Sequence, residues 1–355
     1  MSPARSRKPF APRTRMTLPT RMTSGTRTAP RTRMTAVTRA VAVLAVLAAT
    51  VSGCTSSAYT DTALPTPTPS ATSSMPAPAP STAAVQCDDP LASYAPDGPL
   101  PGPDELPAGS TMAQIRERGR LIVGVSGDSL LLGARNPISG QIEGFDIDMA
   151  RLVAGAILGD PDRIELRVIT AAQRLGSLQD GTVDLVARNM TITCARWQDI
   201  AFSAEYYRSG QKVLVPLGSD ATSLADLSGQ RVCAPAGSTS LTKLEEFTDI
   251  EAVPAATHTD CLVRFQQGEV DAITGDDTVL AGLAAQDPYA MVVGEAFTAE
   301  PYGLGMNADD VDLVRFVNGV LERASADGTW AASYDRWLSA ALGSAPAPPV
   351  PVYGR

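Results

Sequence analysis

Histidine is almost missing from this sequence: His258 is the only one in 355 residues. None of the five cysteines forms a C-x-x-C pair. These two absences exclude the common zinc arrangements. No Ser–His–Asp order and no Cys–His couple is visible, so nothing points to nucleophilic catalysis. Residues 1–39 lack acid altogether and hold ten basic residues, from Arg5 and Arg7 to Arg39. Long apolar runs are missing too. Ala40–Thr50 (AVAVLAVLAAT) is too short to span a bilayer, and its flanks are those of a secretory signal. The chain carries 29 basic and 38 acidic residues, and setting the leader aside leaves 19 against 38, a net of −19. So acidic a body excludes nucleic acid as a partner and adsorption to anionic lipid.

What is present extends the export reading. Val51-Ser52-Gly53-Cys54 follows the apolar run and resembles the lipobox of bacterial lipoproteins. The resemblance implies that 1–53 is a cleaved signal peptide and that lipid on Cys54 holds the chain to the cell membrane. A basic leader of this length is unusual; starts at Met34, Met16 or Met22 give shorter ones. Cys87, Cys194, Cys233 and Cys261 remain, an even number that reads as two disulfides in an oxidising compartment. Spacing does not choose among the three possible pairings.

Residues 54–110 are rich in Pro, Thr, Ser and Ala and predict a disordered tether. Residues 343–355 form a second Pro-rich stretch, a tail. Between them, short apolar runs alternate with helical patterns. LIVGV at 121–125 predicts a buried strand, and the spacing of Phe145, Met149, Leu152, Val153, Ala156 and Ile157 predicts a helix ended by Gly159. Strands are expected at 164–169, 183–187, 231–234, 250–253, 270–274 and 291–294, with helices between them and two long ones at 311–325 and 330–342. Such alternation predicts an α/β fold with parallel sheets covered by helices on both sides. Trp330 and Trp337, seven apart on the last helix, and Phe202, Tyr206 and Tyr207 are expected to pack the interior.

Ligands on such sheets sit at strand carboxyl ends and helix N-termini. Three segments there are dense in polar groups. Asn189-Met190-Thr191-Ile192-Thr193-Cys194-Ala195-Arg196 offers hydroxyls and a planar fork for a carboxylate. Ala236-Gly237-Ser238-Thr239-Ser240 opens a helix; it suits an anion, or Ser238 or Ser240 is simply an N-cap. Thr274-Gly275-Asp276-Asp277 places an acid where it holds an ammonium or caps the next helix.

The stretches GFDIDMARLVAGAILG, LGSLQDGTVDLVARNMTITCARW, IAFSAEYYRSGQKVLV, LSGQRVCAPAGSTSL, DCLVRFQQGEVDAITGDDTVLAG and EPYGLGMN, in this order, resemble the family 3 extracellular solute-binding proteins of polar amino-acid ABC transporters. Within that family they are most similar to actinobacterial glutamine/glutamate-binding lipoproteins. The resemblance implies a two-lobed periplasmic-binding-protein type II fold, with lobe one at 111–213 plus 301–342 and lobe two at 216–293. It implies an amino-acid ligand (glutamate/aspartate or glutamine/asparagine) gripped by lobe closure. Arg196 with Thr191 would take the α-carboxylate. The carbonyl of Asn189 and the carboxylate of Asp276 would hold the α-ammonium, and Ser238 and Thr239 would donate N–H groups. Asp277 would be a helix cap. Arg174 and His258 would read the distal group, so acidic ligands are expected to bind better as pH falls toward 6. Ser126 stands where several relatives carry a further Arg; Arg135 is the candidate substitute, and Asp128 touches the ligand or solvates its turn. Pairing of Cys233 with Cys261, and hence of Cys87 with Cys194, is implied by relatives as well. Partners implied are an ABC permease or a polytopic membrane sensor linked to a cytoplasmic kinase. No cofactor is implied. Cyclohexadienyl dehydratases share the fold and supply the enzymatic alternative.

Overall fold

Five consecutive buried residues, Leu121–Val125, form β1 at the heart of the first of two sheets. A continuous apolar run of this kind belongs to a strand covered on both faces. The computed structural model describes residues 87–355. The leader, Cys54 and the first part of the tether lie outside the described residues.

Helix α1 (Thr111–Arg118) precedes β1 (Leu121–Val125), and a small meander of β2 (Asp128–Ser129), β3 (Gly133–Arg135) and β4 (Ile142–Glu143) leads to α2 (Phe145–Leu158). Then come β5 (Ile164–Val168), α3 (Arg174–Gln179), β6 (Leu185–Ala187) and β7 (Ile200–Phe202). The chain crosses on β8 (Tyr207–Ser209) into β9 (Gln211–Pro216), β10 (Arg231–Pro235), α4 (Thr239–Leu244), β11 (Glu251–Ala255), α5 (His258–Gln266), β12 (Ala272–Asp276), α6 (Asp277–Ala284) and β13 (Ala290–Val293). It returns on β14 (Glu300–Tyr302) to β15 (Gly305–Asn307), α7 (Val311–Ala326), α8 (Thr329–Trp337) and α9 (Ser339–Leu342). Lobe one holds the sheet β5-β1-β6-β15-β7, and lobe two the sheet β11-β10-β12-β9-β13. The crossover strands β8 and β14 pair antiparallel with each other.

The sheets are mixed rather than parallel. β1 runs parallel to β5 and β6, but β15 is antiparallel to β6 and β7. β10 is parallel to β11 and β12, while β9 is antiparallel to β12 and β13. The reversed strands adjoin the two crossings, where the chain enters each sheet from the other lobe. The lobe boundary expected at 213 falls inside β9: Val213 is in register with Thr274 on β12 and Val293 on β13. The crossing therefore lies at 207–211, and the return at Glu300–Tyr302.

Local sequence explains α2. Asp146 and Asp148 sit in its first turn, where the dipole favours acid, and Gly159 closes it in the left-handed region at φ 74°. Its buried face carries Phe145, Met149, Val153, Ala156 and Ile157. Phe145 packs against the rings of Tyr206, Tyr207, Trp330 and Tyr334. The expected helix at 330–342 is broken at Leu338 into α8 and α9.

The tether does not extend to residue 110. Ser93 is fully buried, donates to Phe202 O at 2.8 Å and accepts from Asn318 Nδ2 at 2.9 Å. Leu100 and Leu106 pack on the core of lobe one. Cys87 is bonded to Cys194, and Cys233 to Cys261. The Pro-rich tail also docks: Tyr353 bridges to Ser93, and the Arg355 guanidinium lies 3.9 Å from the centre of the Trp197 ring. These segments look disordered by composition because they hold few apolar residues, but a disulfide and buried hydrogen bonds fix them.

Candidate functional site

The polar strand ends of both lobes converge on one cleft beside the crossover strands. Arg174, Asn189, Thr191, Ser238, Thr239, His258 and Asp276 line the same cavity, with Arg188. That cavity is only about 10 Å³, enough for about one water. Arg196 stands at its edge, donating to Thr191 O at 2.6 Å and to Gly237 O of lobe two at 3.3 Å. A much larger groove, about 870 Å³, is lined by residues of lobe two alone, from Val215 to Tyr289, and includes none of these residues.

The lobes meet tightly. Thr259 Oγ1 donates to Asp128 O at 3.3 Å across the cleft. Gly237 has φ +75°, and a Cβ there would lie 2.7 Å from Ala172 Cα in lobe one. An amino acid cannot enter unless the lobes part. Gly237→Ala is therefore expected to weaken ligand binding by about tenfold or more, through blocked closure, while the ligand-free protein stays folded. Calorimetry on that variant with an unchanged Kd would mean that binding does not need this degree of closure.

The carboxylates are held unequally. Asp276 ends β12 and accepts from Tyr302 Oη at 2.6 Å, while its Oδ1 is buried without a partner. Burial first, and then repulsion by Glu300, push Asp276 up to about 7. Glu300 on β14 accepts through Oε2 from Thr191 Oγ1 at 2.6 Å and from Thr239 Oγ1 at 2.8 Å, one from each lobe. Asp146 accepts from Tyr206 Oη and from the Asn189 N–H, both at 2.7 Å, and burial pushes it up to about 6. It thereby fixes Asn189, whose φ is +35°. The Asn189 carbonyl accepts from Arg174 Nη1 at 3.2 Å.

Several expected roles look different in this setting. Ser238 is an N-cap: its Oγ accepts from Leu241 N at 3.1 Å and donates to Pro235 O at 2.6 Å. The unpaired first-turn N–H groups of α4 are those of Thr239 and Ser240. Asp277 accepts from Ser209 Oγ and from its neighbour Thr278 N, as a residue of the first helical turn. Arg135 lies on β3, is exposed and donates to Gly140 O, so it does not replace the absent arginine at Ser126. Ser126 donates to Asp128 Oδ1 at 2.8 Å. His258 does line the cavity, but burial, and then the charge of Arg188, push it down to about 4. It is neutral at pH 6, so the expected rise in affinity for acidic ligands toward that pH has no source in His258.

Glu300, Tyr302, Asp146 and Arg188 were not singled out from sequence. Glu300 and Tyr302 sit in EPYGLGMN, a stretch that marks the chain's return to lobe one. Asp146 is legible only as a helix-start acid, and Arg188 only as the residue after a strand.

The chain has relatives among known proteins. The model of the bacterial extracellular solute-binding proteins, family 3, matches residues 121–340. The ABC transporter glutamine-binding protein GlnH of Bacillus subtilis is 34% identical over 230 residues, 64% of this chain and 84% of that one. The glutamate-binding protein GluB of Corynebacterium glutamicum is 34% identical over 240 residues, 64% of this chain and 80% of that one. The solved structure of an ancestral arginine-binding protein bound to glutamine superimposes with a TM-score of 0.59 at 31% identity, over 62% of this chain and 98% of that one. With two lobes, two crossover strands and a polar cleft between them, the chain belongs to the bacterial extracellular solute-binding proteins, family 3.

Proposed function

We propose that this protein captures a free amino acid of the glutamate/aspartate or glutamine/asparagine class outside the cell by closing its lobes. The observation that carries the reading is the pairing of Arg196 with Asp276 in one cleft. A guanidinium fork and a buried carboxylate with a partnerless Oδ1 complement the two charges of a zwitterion. Thr191 and the first-turn N–H groups of Thr239 and Ser240 supply further donors for the α-carboxylate. Similarity to glutamine- and glutamate-binding proteins supports the same ligand class. An acid placed for an ammonium, Asp276, beside the Arg196 clamp favours plain amino-acid binding over the dehydratase alternative.

Lipid on Cys54 anchors the protein to the outer face of the cell membrane, with residues 55–86 as the spacer. The closed form is then handed to an ABC permease or read by a membrane sensor; neighbouring permease and ATPase genes would favour uptake, and a polytopic sensor with a kinase would favour signalling. A thermal-shift screen of the twenty amino acids tests the ligand class. At 100 times its Kd a ligand adds about 2.7 kcal/mol of stability, a rise that such a screen resolves. A flat response to all twenty would overturn the reading. Lipid labelling of the wild type but not of Cys54→Ala tests the anchor.

A further inference from the structure

Three arginines enter the cleft, and they are not equivalent. Arg174 is 3% exposed, and every nitrogen of its guanidinium is engaged by backbone. Nε donates to Ala171 O at 3.0 Å, Nη1 to Arg188 O and Asn189 O at 3.2 Å each, and Nη2 to Gly237 O at 3.1 Å. It ties three loops of the cleft together, and with four of its five N–H groups spent on carbonyls it has no two-pronged fork left for a ligand side chain. Arg196 is placed for the α-carboxylate.

Arg188 differs from both. It is 5% exposed and lines the cavity, yet only its Nε is bonded, to Ile169 O at 2.8 Å. Among the described residues, its two terminal nitrogens donate to no acceptor. The acids that act on it are Asp128 and Asp146. Asp146 already spends both oxygens on Tyr206 and Asn189, and Asp128 accepts from Ser126. A guanidinium nearly enclosed by protein, with both terminal nitrogens open at the cavity, is placed to receive a partner. The partner that fits its planar fork is a second carboxylate, because two oxygens match two parallel N–H groups.

We infer that Arg188, rather than Arg174, reads the distal group of the ligand, and that it selects a dicarboxylic amino acid over the corresponding amide. The inference rests on the amino-acid-binding reading above. Calorimetric titration of the full chain with glutamate, glutamine, aspartate and asparagine tests it, using wild type, Arg188→Gln and Arg188→Lys. Wild type should favour glutamate or aspartate over its amide by at least about tenfold. Arg188→Gln should lose on the order of 100-fold for the acidic ligand and only a few-fold for the amide, while Arg188→Lys, which keeps the charge, should keep the acidic preference. Wild-type preference for the amides, or equal losses for acid and amide in Arg188→Gln, would overturn the assignment while leaving amino-acid binding intact. No binding of any amino acid by wild type would instead remove the reading on which it rests. Thermal melts of the ligand-free variants separate loss of recognition from loss of fold: if Arg188→Gln melts well below wild type, Arg188→Lys decides, and its loss of the acidic preference would overturn the assignment.

Discussion

Replacing Arg196 by alanine should nearly abolish binding of every amino acid. In the closed cleft its guanidinium bridges Thr191 O of lobe one and Gly237 O of lobe two. A ligand carboxylate placed there would accept a charge-assisted fork away from water. Truncating one member of such a buried pair costs about 2–5 kcal/mol, or roughly 30- to several-thousand-fold in Kd. Because the α-carboxylate is common to all amino acids, the loss should not depend on the side chain. That separates Arg196 from Arg188, whose loss should be selective. Arg196→Lys should fall between, since an ammonium keeps the charge and loses the planar fork. The ligand-free protein should stay folded with a modestly lower melting temperature, because Arg196 contributes two hydrogen bonds but no ion pair in the closed form. Micromolar affinity retained by Arg196→Ala would take Arg196 out of the site.

The class of fold was legible because long periodic segments dominate it. LIVGV and the 145–158 helix carry their burial in their spacing, and the structure leaves their bounds almost unchanged. The reversal of β9 and β15 was not legible, because a strand's direction leaves no mark on its own period, and the crossover strands β8 and β14 are three residues each, too short for any period to show. Composition misled at both ends of the body, where Ser93 and Arg355 dock through hydrogen bonds and a cation–π contact rather than through apolar residues. For the site, motif resemblance led to Arg196, Thr191 and Asp276, since each is tied to a strand end by a fixed spacing. It pointed to Arg174 for the distal group and did not raise Arg188. One opens a helix and the other follows a strand; only the hydrogen bonds reveal that the first gives four of its five N–H groups to backbone carbonyls while the terminal nitrogens of the second are open. Glu300 was hidden for a different reason: its meaning lies in joining Thr191 and Thr239, and those come together only when the lobes close.

Binding should release a proton near neutral pH, and affinity should fall as the medium turns acidic. Asp276 is pushed up to about 7 by burial and by Glu300, so in the closed cleft about half of it is protonated at pH 7. A ligand ammonium at Oδ1 favours the carboxylate and lowers that value. Affinity should therefore be level above pH 7 and drop by up to about tenfold per unit below it, until the lower pKa of the complex is reached. Stability moves the opposite way. A carboxyl whose folded pKa lies above its ordinary 3.8 binds its proton more tightly folded than unfolded. The ligand-free closed form thus gains stability as pH falls from about 7 toward about 4, and the ligand-bound form does not gain it from this group. The ligand-induced rise in melting temperature should shrink across that window. Asp146, at about 6, touches no ligand in this reading and keeps both its partners. Calorimetry in two buffers of different ionisation enthalpy counts the protons directly. Asp276→Asn should bind far more weakly and lose the proton release at pH 7. A wild-type binding heat independent of buffer at pH 7, with affinity unchanged from pH 8 to 5.5, would remove Asp276 from the ammonium site and leave Glu300 as the acid to test next.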